Sequence, residues 1–399
     1  MTDARRDLRR LAAAVALSAI GDMLALIALV LAVHDLTASG LAVSALFATT
    51  LVPVVAMAPV AGLLVDRFEN VRVLVAASLA QAAVAALLAL AVGDLALLLI
   101  LSALLSAGSA VSLPAEAALV PAIAGRDELA RANGLMESAR YAGFAAGPVV
   151  AAALSGVAGP AVALAVNALS FVAIAAAAAS LHARRQPEAT GGDASAGREA
   201  LAGVRHLWGD GVLRVVVGAA VAALALVSIT LIAEVFYAKD VLHAGDAVYA
   251  LLTGAWMVGM VVGASAVAPR VPARWVAAAA LIGLVVQGVG IAGQVAVAIV
   301  PAALLGYCVG GIGHGAKNAL IRTLLARRVP EHMHGRAFAA YNAARNCAEL
   351  GAIGAGGALV AGAGPSAALV IAGTAPVLLG LAGLVALGRP RLSPALSRA

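Results

Sequence analysis

The chain has 399 residues, of which 63% are hydrophobic and 12% are charged, and its mean hydropathy is +1.03. Soluble domains are nearer half apolar and a quarter charged, so this composition excludes an ordinary soluble protein and predicts that lipid surrounds most of the chain. The formal net charge of +6 does not indicate nucleic-acid binding, because the basic residues lie between apolar segments, where they report membrane topology.

Twelve segments are long and apolar enough to be transmembrane helices, since about 20 apolar residues cross the hydrocarbon core. The first is too long for the apolar part of a signal peptide. The predicted helices cover residues 11–33, 41–63, 73–93, 95–113, 137–156, 161–181, 213–236, 246–268, 275–296, 298–325, 337–361 and 366–388. Two pairs are nearly fused, and their turns are expected at Gly93-Asp94 and near Pro301.

A single long polar stretch divides the helices into six and six. The sequence therefore predicts an N-terminal half at residues 1–181, a cytoplasmic linker at 182–212 and a C-terminal half at 213–399. An amphipathic helix is predicted over residues 198–214, lying on the inner membrane surface. Its lipid-facing residues would be Leu201, Val204, Leu207 and Trp208.

Basic residues mark one side of the membrane. Arginines occupy both termini and every second connection between predicted helices, whereas the opposite connections contain one basic residue, Lys239. The positive-inside rule then places both termini and the central linker in the cytoplasm, in a multi-pass protein of the cell membrane.

The two halves also share a weak internal repeat. Residues 133–154 align with residues 338–359, so that Arg140 falls on Arg345. In a second register, residues 115–119 align with residues 316–320. Parallel six-helix repeats around a central site are typical of one large class of secondary transporters.

The connection after the second helix reads GLLVDRFENVR. A glycine, an Asp-Arg pair and a further basic residue at this spacing resemble the loop signature of the major facilitator superfamily, while Glu69 and Asn70 depart from it. The matching residues are Gly62, Asp66, Arg67 and Arg72. The expected roles are a close helix approach at Gly62 and a cytoplasmic latch through Asp66. The alternative is a solvated turn that only sets topology.

The fifth helix contains the spacing G-x8-G-x3-G-P, formed by Gly134, Gly143, Gly147 and Pro148. It resembles a signature of antiporters in the same superfamily, although Ala151-Ala152 replace its usual following glycines. Small residues on one face let helices cross closely, and a proline bends a helix. The resemblance favours export; the alternative is ordinary packing in a glycine-rich protein.

Three further stretches resemble the branch that contains macrolide efflux pumps and the enterobactin exporter: SAIGDMLALIALVL, ALVPAIAGRDELARANGLMESAR and RRVPEHMHGRAFAAYNAARN. Two departures matter. Glu116 stands where that branch would have a basic residue, and the fourth helix lacks the arginine of many proton-coupled drug antiporters.

The resemblance implies an all-α fold of two pseudo-symmetric six-helix halves that rock about a central site. The implied function is proton-coupled efflux of a small, partly hydrophobic molecule such as a drug, an antibiotic or a siderophore-like metabolite. The expected partners are that substrate, the proton and the lipid bilayer, for a monomer with no enzymatic activity, cofactor, metal or nucleic acid. A solute importer or facilitator on the same fold, and a membrane receptor or scaffold without transport, are the alternatives.

Charged residues inside apolar helices are the candidate coupling residues, because an ionisable group at membrane depth is costly. Asp22 lies twelve residues after Arg10, about 18 Å along a helix, and no basic residue stands one turn away. It is the candidate proton carrier. The alternative is a structural aspartate that is hydrogen-bonded to Ser18.

The repeat-related Arg140 and Arg345 each have an acidic residue nearby on the same helix. Glu349 follows Arg345 by one turn, and Glu137 precedes Arg140 by three residues. Each pair is interpreted either as a switch that opens with substrate or proton, or as a permanent cytoplasmic network.

Glu116 and Lys317 fall on equivalent repeat positions with opposite charges. They are predicted to form a bridge between the halves, or else to extend separately to the headgroups. Glu234, in the seventh helix, is interpreted as interfacial or as attracting a cationic substrate.

Overall fold

A computed structural model of the chain describes residues 2–155, 159–182, 204–330 and 333–388. The described residues are helical and contain no β-strand, so the predicted all-α class is confirmed. Contacts between Cα atoms divide the chain into two compact units, Met1–Gly191 and Gly192–Ala399. Because the central residues 183–203 are not among those described, the predicted linker boundaries stay predictions.

The N-terminal unit contains α1 (Thr2–Thr37), α2 (Gly40–Arg67), α3 (Asn70–Leu90), α4 (Leu95–Ser155) and α5 (Pro160–Ala179). The turn predicted at Gly93-Asp94 separates α3 from α4. There the Asp94 side chain accepts a hydrogen bond from the Leu97 backbone nitrogen at 3.1 Å, which satisfies a donor at the start of α4.

The 61-residue α4 contains two predicted membrane helices. A straight helix of that length would span about 90 Å, three times the hydrocarbon core. However, the side chains of Glu116 and Arg140, 24 residues apart, are in contact, whereas a straight helix would separate them by about 36 Å. The chain therefore reverses direction within α4, and this reversal makes α4 two neighbouring membrane segments.

The C-terminal unit contains α6 (Gly211–Val227), α7 (Thr230–Phe236), α8 (Asp246–Val262), α9 (Val276–Ala296), α10 (Val300–Arg328) and α11 (His334–Leu387). A π-helical turn, Tyr237–Val241, continues α7. α11 breaks at Gly364, whose φ of 81° lies in the left-handed region that favours glycine. This break separates the predicted eleventh and twelfth helices.

Nine helical segments of the described residues are long and apolar enough to cross a membrane. One of them, Ala340–Leu387, contains the break in α11 and has the length of two spans. The predicted helices at 137–156 and 298–325 are not among the nine segments, and both carry charged side chains within their apolar runs. The helix pattern is consistent with the twelve predicted spans.

Glycines let α10 pack closely on two faces. A Cβ atom at Gly311 or Gly315 would collide with backbone atoms of α8, and one at Gly313 with backbone atoms of α9. The glycine-rich segment 310–315 therefore brings three helices into backbone contact, as small residues do at membrane helix interfaces.

The expectation that Leu207 faces lipid is wrong. Residues 204–209 are helical, but Leu207 is buried in a hydrophobic cluster with Val212 and Val216 of the C-terminal unit. The chain turns at Asp210 to enter α6, and this turn directs Leu207 inward, while Trp208 is half exposed. Leu201 lies outside the described residues.

Asp210 joins the start of α6 to the end of α10. Its carboxylate accepts hydrogen bonds from the backbone nitrogens of Val212 and Leu213, at 2.8 and 2.9 Å, and from Arg328 at 2.9 Å. Burial acts to raise the pKa of Asp210, but the hydrogen bonds from Leu213, Arg328 and Val212 outweigh burial, and the net pKa lies below the ordinary 3.8.

We expect Asp210→Ala to lower the free energy of unfolding by about 1–3 kcal/mol at neutral pH, because the helix cap and the ion pair are lost together. Asp210→Asn should lose less, since asparagine still caps a helix. A depressed carboxyl pKa stabilises the fold above the unfolded-state pKa, and this contribution is lost as the pH falls through the lower folded-state pKa.

Thermal unfolding of the detergent-purified variants over a pH series measures this effect. The difference between wild type and Asp210→Ala should shrink as the pH falls below about 3.8. A difference that stays constant over that range would contradict the assignment of an ionised cap.

Candidate functional site

A cavity of about 410 Å³ lies within the N-terminal unit, between α1, α3, α4 and α5. Phe144, Phe171 and aliphatic side chains form part of its wall, and hydroxyl, amide and charged groups form the rest. The polar lining residues are Ser18, Asp22, Ser78, Gln81, Ser109, Ser112, Glu116, Glu137 and Arg140. The cavity thus brings together three residues that the sequence singled out for separate reasons, Asp22, Glu116 and Arg140.

A buried ion pair crosses this cavity wall. Nη2 of Arg140 donates to Oε1 of Glu116 at 2.7 Å, and the two side chains are 23% and 7% exposed. The suggested pairing of Arg140 with Glu137 is therefore corrected: Glu137 is exposed, and the guanidinium turns to Glu116. The reversal within α4 explains this, because it places Glu116 opposite Arg140.

Asp22 projects from α1 into the same wall and is half-buried. Arg140 and Glu116 act on it electrostatically, and Asn167 of α5 lies beside it. The Arg140 guanidinium, which has five N–H donors, therefore contacts the carboxylate of Glu116 and also acts electrostatically on Asp22. Ser18, the partner considered for Asp22, also lines the cavity.

Two glycines of the fifth-helix motif set the distance between α1 and the second segment of α4. A Cβ at Gly143 would collide with Ala16 and Ala19, and a Cβ at Gly147 with Met23. An added Cβ at Gly134, by contrast, would meet nothing within 4 Å among the residues that the structure describes. The close approach at Gly143 and Gly147 surrounds the position of Asp22 on α1, and Pro148 follows directly within α4.

The loop motif after α2 does not form the expected close contact at Gly62, where an added Cβ would meet nothing within 4 Å in the described part of the chain. Arg67 ends α2 and is exposed. Arg72 forms an ion pair with Glu69 at 2.9 Å. The Asp66 side chain lies outside the described residues, so its predicted latch stays a prediction.

Lys317 anchors a second polar cluster, in the C-terminal unit. It is 3% exposed and donates from Nζ to Oε1 of Gln287 at 3.1 Å. The Gln287 amide nitrogen lies 3.2 Å from Nδ1 of His314, whose Nε2 lies 2.8 Å from the Asn318 amide nitrogen. Lys317 and Glu116 each have a partner within their own unit, and the predicted bridge between them stays a prediction.

Arg345 acts electrostatically on Glu349, and the switch or permanent pairing predicted for the two stays a prediction. The Arg345 guanidinium lies 5.8 Å from the ring centroid of Tyr341, one turn toward the helix N-terminus. Side chains on a helix lean in that direction, and an aromatic face attracts a guanidinium. This geometry explains the contact between Arg345 and Tyr341.

Sequence reasoning missed the neutral amides that organise both clusters. Gln81 donates to Ser109 Oγ at 3.0 Å across the N-terminal cavity, and Gln287 holds Lys317. Both glutamines are buried within apolar spans, where an amide needs a partner, and a search for amides in such spans would have found them. No group of three or more metal-ligating side chains occurs among the described residues.

Comparison with known proteins identifies the family of this architecture. Residues 11–346 match the sequence profile of the Major Facilitator Superfamily. A search of curated proteins returned no match.

Solved structures of transporters share the fold. A bacterial homologue of the iron transporter ferroportin, in an inward-facing state, is 15% identical with a TM-score of 0.76, over 96% of this chain and 99% of that chain. The nucleoside transporter NupG is 12% identical with a TM-score of 0.75 over the same shares. A bacterial homologue of the human lysosomal transporter Spinster is 14% identical with a TM-score of 0.70, over 99% and 96%.

We expect Gly147→Ala to lower the free energy of unfolding by about 1–3 kcal/mol, because the added methyl group collides with Met23 and overpacks the contact with α1. Gly134→Ala is the matched control. It adds the same methyl group in open space and should be neutral or stabilising by about 0.5–1 kcal/mol, as alanine is the better helix former.

Thermal unfolding of the two purified variants compares these effects directly. Equal unfolding temperatures for Gly147→Ala and Gly134→Ala would show that the contact between α1 and α4 does not constrain the fold.

Proposed function

The chain belongs to the major facilitator superfamily, and on that premise we propose that it is a proton-coupled exporter of a small, partly hydrophobic molecule. The observation that carries the proposal is the position of Asp22 on the wall of the N-terminal cavity, beside the ion pair of Glu116 and Arg140. A transporter that couples to protons needs a carboxyl group that both meets water and acts on the substrate site.

The proposed coupling rests on competition for one guanidinium. When Asp22 is ionised, Arg140 is shared between the carboxylates of Asp22 on α1 and Glu116 in the first segment of α4. When Asp22 takes up a proton, Arg140 is held by Glu116 alone. The proton thus changes how α1 is tied to α4, and a change in the relative stability of two conformations is what alternating access requires.

The cavity lining supports the proposed substrate class. A volume of about 410 Å³ falls within the range of sites for drug-sized molecules. Phe144 and Phe171 offer apolar surface, while Ser78, Gln81 and Ser109 offer hydrogen bonds. This mixture of apolar and hydrogen-bonding surface suits an amphipathic compound.

The proposed direction is export, as in the branch of macrolide efflux pumps and the enterobactin exporter that the sequence resembles. Support comes from the antiporter-like motif, because its Gly143 and Gly147 pack against the helix that carries Asp22. The arginine distribution supports an orientation with both termini in the cytoplasm.

The test starts from a probe compound. Cells that express the chain are compared with cells that do not, and a compound whose growth inhibition falls on expression is reconstituted with the purified protein in liposomes. In liposomes, an imposed pH gradient should drive that compound across the membrane. Equal movement with and without the gradient would identify a facilitator, and movement only into right-side-out vesicles an importer.

We expect Asp22→Asn to remove gradient-driven transport while leaving exchange of the probe across the membrane, because asparagine cannot carry a proton but fills the same space. Asp22→Glu should restore part of the driven transport. Glu128→Gln, which removes a half-exposed carboxylate outside the cavity, is the control and should transport normally. Undiminished driven transport by Asp22→Asn would reject Asp22 as the proton carrier.

A further inference from the structure

Glu234 is a buried carboxyl group that takes no part in the coupling proposed at Asp22. It lies on α7 of the C-terminal unit and is 7% exposed. The membrane segment that contains it, Gly211–Val241, continues for seven more residues, which is about 10 Å of helix. Glu234 therefore lies within the apolar region, where an ionisable group is rare without a functional reason.

Thr253 on α8 is the hydrogen-bond partner of Glu234. Thr253 Oγ1 lies 3.3 Å from Oε1 of Glu234 and also 3.3 Å from the backbone oxygen of Tyr249. A threonine hydroxyl has a single hydrogen, so it satisfies only one of these two acceptors when Glu234 is a carboxylate. If Glu234 carries a proton, its O–H can donate to Thr253 Oγ1 while the Thr253 hydroxyl donates to the Tyr249 carbonyl, so both contacts are hydrogen bonds at the same time.

The side chains around Glu234 offer it no positive charge. Tyr249 faces it from α8 and Tyr307 from α10, both 4% exposed or less, and these phenols are neutral. Tyr237, on the π-helical turn, donates its hydroxyl to the backbone of Gln294 on α9 at 2.9 Å.

The remaining neighbours are apolar or already paired. Where α11 packs on α7, Gly356 meets Ile232. Lys239, the nearest lysine along the chain, forms an ion pair with Asp246 at 2.6 Å. Within the described residues, Glu234 forms no ion pair, so a negative charge there has no counter-ion while a proton has a prepared acceptor.

We propose that Glu234 is a second proton-binding site, located in the C-terminal unit and occupied independently of Asp22. Proton uptake converts the Glu234 carboxylate to the carboxylic acid by forming an O–H bond. Proton release is the reverse of this step. The use of this site in transport rests on the proposed proton coupling. The binding of a proton at the site does not depend on that coupling. A protein with a carboxyl site in each unit can carry more than one proton in a cycle.

Infrared difference spectroscopy of the full chain in lipid nanodiscs, titrated from acidic to alkaline pH, tests this directly with the proton as the probe. A protonated carboxyl group gives a C=O band that disappears on ionisation. Wild type should show separate components for Asp22 and Glu234. Glu234→Gln should lack one component and keep the one that Asp22→Asn removes, and the double variant should lack both.

Two further variants make the assignment specific. Thr253→Val removes the hydroxyl but keeps the shape, and should shift the frequency and midpoint of the Glu234 component alone. Glu349→Gln, a carboxyl change elsewhere in the C-terminal unit, is the control and should leave that component in place. The proposal is overturned if Glu234→Gln and wild type have the same carboxyl band, or if Thr253→Val leaves it unmoved.

Stability gives an independent measurement. Glutamine has the size of a neutral glutamic acid and an N–H that can donate to Thr253, so Glu234→Gln should unfold at a temperature close to that of wild type. If the native group is an ionised carboxylate, Glu234→Gln should instead behave as a loss of charge, with a changed pH dependence of unfolding at neutral pH. A failure of Asp22→Asn to affect transport would leave both of these results unchanged.

Discussion

The ion pair between Glu116 and Arg140 is the interaction on which the N-terminal unit depends. The two charges are held at 2.7 Å and are largely buried, so removing one leaves the other buried without its partner. The pair requires α4 to reverse direction, since its partners are 24 residues apart on one helix. Gly143 and Gly147 allow α1, which carries Asp22, to approach the α4 segment that carries Arg140 at backbone distance. The reversal, the glycine contacts and the cavity thus form one arrangement around a single guanidinium.

Buried polar and charged side chains have different kinds of partner in the two units. In the N-terminal unit, carboxylates surround one arginine at the edge of a cavity. In the C-terminal unit, Lys317 is held by the neutral amide of Gln287, and Glu234 is held by a hydroxyl among phenol rings. Neither of these C-terminal groups has an oppositely charged partner within 4 Å in the described part of that unit. On the proposal made above, Glu234 is neutralised by a bound proton in place of an ion pair.

Hydrophobicity along the chain predicted the helical architecture well, because the thickness of the membrane fixes the length of each span. The turn at Gly93-Asp94 was predicted from the residue types there. The break in α11 falls between residues 361 and 366, where the bounds of the two predicted apolar segments placed it. Side-chain partners were not predictable. Glu137 and Glu349 are the visible neighbours of Arg140 and Arg345 on a helix, yet Arg140 turns to Glu116 and Arg345 to Tyr341. A pattern of spacing reports which residues share a face, but the partner across helices depends on packing that one sequence does not specify.

The strength of the pair between Glu116 and Arg140, measured with Asp22 present and absent, tests the competition most directly. A double-mutant cycle with Glu116→Gln and Arg140→Gln gives the coupling energy from the unfolding of the purified protein. The same cycle is then repeated in the Asp22→Asn background. If Asp22 shares Arg140, it partly compensates the loss of Glu116, so the coupling energy should be larger in the Asp22→Asn background by more than the roughly 0.5 kcal/mol error of such cycles. Equal coupling energies in the two backgrounds would show that Asp22 does not compete for Arg140.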